Sequence, residues 1–306
     1  MEVMKNSLNK FSLKDKKVFD DAYSKLKFPL AEHSFSWIYL WDSCYKDIEW
    51  KKINGNVCLF LTFEDKRYVW GPILPGNKLN ETLNECFKLC EEYNSKNSIK
   101  KKPALMYIPE ELKKEYEKIE GFEIKEQNQD YAYKCEDIIE LKGDKYKSKR
   151  NLRNYFLKNY KFDVEDYKKE KHFNECLNLL KTWEKQKSES ISKEDKDKLD
   201  YDIYANKKIL ELANKLSVNG IVVYVNGKIE GYTFGEKNNN ICVDFFEKTN
   251  LEIKGLPVYI YGEFLKRMGC EIVNAGEDWD IGYLKKIKLS YKPHLIKKSY
   301  TLEKID

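Results

Sequence analysis

Arginine is scarce in this chain. Of 56 basic residues only four are arginine, at positions 67, 150, 153 and 267. Histidine is scarcer still, with three copies (His33, His172, His294) scattered far apart and none with a nearby Ser/Asp partner set, so a hydrolase triad is not expected. The eight cysteines (44, 58, 86, 90, 135, 176, 242 and 270) form no Cys-x-x-Cys pair. Cys86 and Cys90 share a helical face, but no histidine cluster accompanies them, so no metal site is expected. Most of the cysteines lie inside apolar runs, where a free thiol packs as a small hydrophobe. The N-terminal stretch has no apolar signal-like segment, and no run approaches the length needed to cross a bilayer. A reduced, cytoplasmic protein is the expectation.

What is present suffices for a large core. The 306 residues are 42% apolar and 14% aromatic, with a net charge of +5. That length holds one large core or two ordinary ones. Apolar periodicity marks a helix over Phe11–Leu26, ended by Phe28-Pro29, and an aromatic-dense helix over 35–41 that reads as core packing. Strands are expected at Val57–Phe63 and Arg67–Leu74, stopped by Gly71-Pro72 and Pro75-Gly76. An amphipathic helix marked by Leu79, Leu83, Cys86, Phe87 and Cys90 follows. Then come a strand (Ala104–Ile108), a helix (Glu110–Ile119) and extended segments over Phe122–Lys134, broken at Gln127–Asp130.

The later half repeats that order. Ile221–Tyr224 and Ile229–Phe234 form a hairpin around Asn226-Gly227, and Ile241–Phe246 is a third strand. A helix over Val258–Met268 is opened by Pro257 and closed by Gly269. The strand Glu271–Asn274, a helix over Gly282–Ser290 and a strand over 294–301 complete it. The order strand-strand-strand-helix-strand-helix-strand resembles the second half of a GNAT domain, the acyl-CoA N-acyltransferase fold. The expected fold class is therefore α+β: two tandem GNAT-like domains, each a mixed, mostly antiparallel sheet flanked by helices. Their boundary is expected near residue 140, giving domains 1–140 and 141–306.

The second domain would begin with a basic helix at about 145–160. Lys142–Lys161 holds eight basic residues against one acid, Asp144, with Leu152, Tyr155, Phe156 and Tyr160 at helical spacing. A lysine run is ordinarily a solvated face. Here half of the scarce arginines are gathered, and guanidinium groups match phosphate oxygens bidentately. Lys149, Arg150 and Arg153 are thus candidates for an anionic ligand such as tRNA, a nucleotide or a phospholipid head group.

Family resemblance enters at these residues. Lys149-Arg150-Asn151-Leu152-Arg153-Asn154 resembles the inter-domain helix of Fem-like aminoacyltransferases. Asn274-Ala275-Gly276-Glu277-Asp278, together with the stretch from Gly282 to Pro293, resembles the DUF2156 group, related to the C-terminal domain of phosphatidylglycerol lysyltransferases. Phe35-Ser36-Trp37-Ile38-Tyr39-Leu40-Trp41 fits the same group. The resemblance implies transfer of an aminoacyl group from charged tRNA, as donor substrate, to an amine or hydroxyl acceptor (a lipid head group or peptide). Acyl-CoA as donor is disfavoured. The loop that would hold its pyrophosphate on backbone N–H groups reads Lys254-Gly255-Leu256-Pro257 here, and Pro257 has no N–H.

Acyl transfer needs a proton acceptor and a stabiliser of developing negative charge. In this fold both belong where the third and fourth strands of a unit part. Glu247, Glu277 and Asp278 are the candidate carboxylates, with Tyr259 and Tyr261 as candidate proton donors. Lys285, Lys286 and Lys288 are candidates to neutralise a phosphate. Each has an ordinary alternative: a strand end for Glu247, a helix cap for Asp278, and core packing for one of two tyrosines spaced two apart. An acyl-CoA-dependent N-acetyltransferase and a non-catalytic binding module remain the rival readings, because a scaffold does not fix a reaction.

Overall fold

A computed structural model describes residues 8–75, 78–188 and 195–305; Gly76, one of the expected strand stops, lies outside the described residues. The chain divides into two compact units, Met1–Gln129 with Lys297–Asp306, and Asp130–Ile296. Residue 140, the boundary expected from the sequence, falls at the end of a helix inside the second unit.

The first unit contains β1 (Asn9–Lys10), α1 (Lys16–Tyr23), α2 (Phe35–Leu40), β2 (Lys46–Ile53), β3 (Asn56–Phe63), β4 (Lys66–Trp70), α3 (Leu79–Lys96), β5 (Ala104–Pro109) and α4 (Lys113–Tyr116). Its sheet runs β1-β2-β3-β4-β5 and continues to the C-terminal strand. The β2–β3 turn is Asn54-Gly55, both at positive φ, the pairing that suits the right-handed twist of a two-residue hairpin. Buried Leu83, Cys86, Phe87 and Cys90 on one face of α3 pack with Cys58, Phe60, Val69 and Leu105 of the sheet. Strand β6 (Phe122–Lys134) leads out of this unit. It is continuous through Gln127–Asp130, where a break was expected.

The second unit contains α5 (Cys135–Glu140), α6 (Lys147–Asn159), β7 (Phe162–Asp166), α7 (Lys169–Ser188), α8 (Lys196–Leu216), β8 (Asn219–Val225), β9 (Lys228–Asn238), β10 (Ile241–Thr249), α9 (Leu256–Met268), β11 (Ile272–Asn274) and α10 (Gly282–Ser290). The last strand, β12 (Leu295–Lys304), pairs with β5 of the first unit, while the end of β6 pairs with β11 of the second. The closing strand of each repeat thus completes the sheet of the other, which is why the compact units do not coincide with halves of the sequence. Within the second unit the strand order is β6-β11-β10-β9-β8-β7. In both units three antiparallel strands precede a helix, and the next strand pairs parallel to the third: β5 with β4, and β11 with β10.

Helix α9 carries the core of the second unit. Leu256, Ile260, Phe264, Leu265 and Met268 on its inner face pack with Ile221, Val223, Cys242 and Val273 of the sheet. Gly255 at its entry has φ +89°. A Cβ there would stand 2.1 Å from the Leu152 carbonyl oxygen, so only glycine lets α9 start against α6. Gly269 closes the helix in the left-handed conformation, as the sequence suggests.

Candidate active site

The site is built where β10 and β11 part. Their parallel pairing covers three residue pairs, Ile241 with Ile272, Cys242 with Val273 and Val243 with Asn274, and stops there. The next residue of β10 begins a bulge: Asp244 pairs with Gly235 of β9 and Phe246 with Phe234, leaving Phe245 unopposed. A bulge adds twist and turns a strand from its neighbour. It also resets the alternation of side chains. Asp244 and Glu247, three apart and so on opposite faces of a regular strand, come to the same face.

Both carboxylates line a cavity of about 510 Å³ lying wholly within the second unit. Tyr133, Tyr261 and Tyr291 form its inner wall, Trp183 and Asp202 its α7–α8 side, and Lys149, Lys187, Lys198, Lys248 and Lys288 bring five cations to its lining. Tyr261 is 5% exposed. Its hydroxyl and the Oδ1 of Asp244 are buried polar atoms with no hydrogen-bond partner among the described residues. Unsatisfied polar atoms at a cavity wall mark where a ligand's polar groups complete the hydrogen bonding.

Burial sets the protonation of these groups. Asp244 is raised to about 6 by desolvation, with Lys288 and Lys248 opposing. Glu247 is raised further, to about 8, by desolvation and then by the Asp244 charge, with Lys248 and Lys149 opposing. Near pH 7 the pair divides into an ionised Asp244 and a protonated Glu247, the separation of roles that acid–base catalysis uses. Tyr261 is held well above its ordinary value by burial and by Asp244, so it keeps its proton. Lys149 and Lys288 are lowered, first by burial. The Lys149 ammonium lies 3.9 Å from the Tyr291 ring centroid. Lys248 stands 3.2 Å from Asp202 and 4.3 Å from the centre of Trp183.

Of the residues singled out in the sequence, Glu247, Tyr261, Lys149 and Lys288 line the cavity; the others do not. Tyr259 is stacked 4.9 Å from Phe156 and meets Phe162 edge-on at 4.8 Å, within the hydrophobic core. Asp278 accepts hydrogen bonds from the Tyr131 hydroxyl at 2.5 Å and the Asp280 amide at 3.0 Å, so its carboxylate holds the β11–α10 loop. Glu277 stands beside Asp130, Asp278 and Asp280; burial, then Asp130, raises it to about 8 and keeps it neutral. Lys288 reaches from the cavity wall into the same loop, donating to the carbonyls of Ala275 and Gly276. Lys285 and Lys286 are exposed on α10.

The two clustered arginines are directed at backbone. Arg150 donates to the carbonyls of Leu141 and Gly143, and Arg153 to those of Ile139 and Glu140. These are the last carbonyls of α5 and the turn after it, where helical partners run out and a cation is favoured by the helix dipole. The guanidinium groups lock α6 onto α5. Of the three candidates on that helix, Lys149 alone faces the cavity.

Asp244, Lys248, Tyr291 and Trp183 are among the cavity groups that sequence reasoning does not single out as functional, as are Tyr133, Lys187, Lys198 and Asp202. The usable signal was an acid three residues before Glu247 in an otherwise apolar strand, but only the bulge gives that spacing a common face.

A parallel strand pair following antiparallel strands and a helix, present in each unit, defines the class: an α+β, tandem GNAT-fold protein. The chain belongs to the phosphatidylglycerol lysyltransferase C-terminal family, whose pattern it matches over residues 24–303. An uncharacterized protein of Mycoplasmoides gallisepticum is 24% identical over 185 residues, which is 60% of this chain and 58% of that protein; the chain thus spans less than two thirds of that relative's length. Among solved structures, a conserved protein of unknown function from Bacteroides thetaiotaomicron superposes with a TM-score of 0.86 at 24% identity, covering 97% of this chain and 99% of that one. The L-PGS of Bacillus licheniformis gives 0.63 at 15% identity, over 98% and 94%. A tandem GNAT protein from the clavulanic acid biosynthesis pathway gives 0.53 at 9%, over 97% and 98%. Family and fold are those of lysyl-phosphatidylglycerol synthetase-like, GNAT-fold acyltransferases. Among the described residues no helix is long and apolar enough to cross a membrane.

Proposed function

We propose that this protein transfers an aminoacyl group from charged tRNA to an amine or hydroxyl acceptor, a lipid head group or a peptide, in the cleft of its second unit. The observation that carries the reading is that Asp244 Oδ1 and the Tyr261 hydroxyl, two buried polar atoms without partners among the described residues, stand at the wall of one cavity. The acceptor O–H or N–H gives its proton to the Asp244 carboxylate as its heteroatom attacks the ester carbonyl carbon. The new bond forms, the bond from that carbon to the ribose oxygen breaks, and the leaving oxygen takes the Tyr261 proton. Proton return from Asp244 to Tyr261 restores both groups. Neutral Glu247 offers a hydrogen bond to the developing negative charge, and the five lysines suit the phosphates of an anionic substrate.

The entry to α9 supports a donor other than acyl-CoA. A pyrophosphate cradle needs free backbone N–H groups. The Leu256 N–H bonds to the Ile253 carbonyl at 3.3 Å, Pro257 has none, and the Cα of Gly255 is packed against Leu152.

The test is incubation with labelled aminoacyl-tRNA pools and a lipid or peptide acceptor, following label out of tRNA. Transfer or deacylation by the wild type, lost in Asp244→Asn, is the expected result. Neither binding nor deacylation with any charged tRNA would remove the reading. A melting temperature raised by acetyl-CoA would redirect it to acyl-CoA, since a ligand that binds only the native state stabilises it.

A further inference from the structure

Seven of the eight cysteines are buried, and four of those stand in two hydrogen-bonded thiol pairs, one in each unit. In the first unit Cys86 of α3 meets Cys58 of β3, and both are 0% exposed. In the second unit the Cys242 thiol of β10 donates to the Cys270 sulfur, at the exit of α9. Cys135 belongs to the same core. The second pair differs from the first in access. Cys242 is 0% exposed, whereas Cys270 is 9% exposed and lies between two exposed residues, Gly269 and Glu271. The exposed Lys237 sits over the same exit, donating to the carbonyls of Met268 at 3.4 Å and Gly269 at 3.2 Å. Main-chain bonds hold the two segments together: the Glu271 N–H donates to the Asn240 carbonyl at 3.0 Å, and Cys242 pairs with Val273.

The two sulfurs are also unlike in reactivity. Thiolate, not thiol, attacks a peroxide, so a lowered pKa and some access select the reacting cysteine. The hydrogen bond from Cys242 lowers the Cys270 thiol; burial opposes it and the Lys237 ammonium assists. Donating that bond, and then burial, raise Cys242 well above its ordinary value. Cys44 is the most exposed of the eight, but burial pushes its thiol up to about 12. A partly accessible sulfur in hydrogen-bond contact with a buried second thiol is the arrangement of a reactive and a resolving cysteine.

We propose that Cys270 and Cys242 form a modification site for hydroperoxides, closing to a disulfide that ties β10 to the exit of α9. The Cys270 thiolate attacks the terminal oxygen of the hydroperoxide. The S–O bond forms, the O–O bond breaks, and the alkoxide leaves and takes up a proton as the alcohol. The sulfur has given two electrons to the peroxide and is now a sulfenic acid. The Cys242 sulfur then attacks it: the S–S bond forms, the S–O bond breaks, and hydroxide leaves with the Cys242 proton as water. A dithiol reductant reopens the bond by exchange. The crosslink lies beside the Cys242–Val273 rung, at the base of the opening between β10 and β11. It stands apart from the transfer chemistry proposed above, and its test uses no turnover.

The reduced full chain is treated with tert-butyl hydroperoxide, and its intact mass and proteolytic peptides are read by mass spectrometry. The expected product has lost two hydrogen atoms, joins the Cys242 and Cys270 peptides, and is restored by dithiothreitol. Cys242→Ser should lose the crosslink and leave a sulfenic acid on Cys270, captured by dimedone. Lys237→Met should form the same crosslink more slowly at neutral pH, because less Cys270 is thiolate. An unchanged wild-type mass overturns the proposal. So does a wild-type bond joining Cys58 to Cys86 or Cys135 to Cys270, or Cys270 carried past sulfenic acid without a crosslink. These outcomes are read on the wild type, so they decide the matter even where a variant fails to fold.

Discussion

Glu247→Gln is expected to stabilise the protein, and by more at pH 9 than at pH 6. Desolvation, with the Asp244 charge added, raises the Glu247 carboxyl from its ordinary 4.5 to about 8 in the folded protein. The unfolded chain returns it to the ordinary value. Between those two pH values the folded state holds a proton that the unfolded state has lost, so stability falls as pH rises, by about 1.4 kcal/mol per pH unit. The penalty is absent below the unfolded value and complete once pH passes the folded one. It amounts to about 2 kcal/mol at pH 6 and about 5 kcal/mol at pH 9 before water in the cavity is considered. Solvent screening inside an open cleft reduces both, leaving a pH-dependent difference of about 1–3 kcal/mol. Glutamine has no charge to desolvate, so its contribution is flat. Urea unfolding of wild type and variant at the two pH values reads the difference directly. An equal gap at pH 6 and pH 9 would refute the reasoning, because it would mean that Glu247 titrates as a hydrated side chain.

Three further outcomes follow from the same geometry. Asp244→Asn and Tyr261→Phe should each lower aminoacyl transfer by about 10²-fold or more, the usual worth of a positioned proton-transfer group, whereas Tyr259→Phe should leave transfer unchanged; steady-state rates decide it. Arg153→Met should cost about 1–3 kcal/mol of stability by leaving the last carbonyls of α5 without a donor, seen as a lower denaturation midpoint. Gly255→Ala should destabilise by roughly 3 kcal/mol or more, adding left-handed backbone strain to a clash with the Leu152 carbonyl, and a melting curve measures it.

How far the sequence could be read varies with how local each determinant is. The Asn226-Gly227 hairpin, the Pro257 start and Gly269 end of α9, and the span of α10 are set by residues within a few positions, and all stand where the sequence suggests. Helices α7 and α8 are harder to see because their buried stripes include polar groups. His172 accepts from the Lys168 amide and contacts Glu165, and Asn206 accepts from the Tyr232 hydroxyl. A hydropathy pattern treats such satisfied polar groups as surface. The pairing of β12 with β5 joins residues nearly two hundred positions apart, for which no local signal exists. In the site, Glu247 and Tyr261 could be picked out as ionisable groups near the opening of the strands. The partnership of Glu247 with Asp244 depends on one unopposed residue in β10, and the alternation rule alone places them apart. Rarity of arginine pointed to phosphate, while Arg150 and Arg153 hold carbonyl oxygens that become visible only once α5 is seen to end beside α6.

The unopposed Phe245 bears on how such a protein can change. Remove it, and Asp244 and Glu247 would still point the same way, now as ordinary alternate residues, but β10 would lose the extra twist that peels it from β11 and would be free to zip alongside. The chamber would close with every one of its chemical groups intact. Room for a substrate is therefore a property of the main chain, and the side chains around it can be exchanged, for a different acyl group or acceptor, without putting that room at risk.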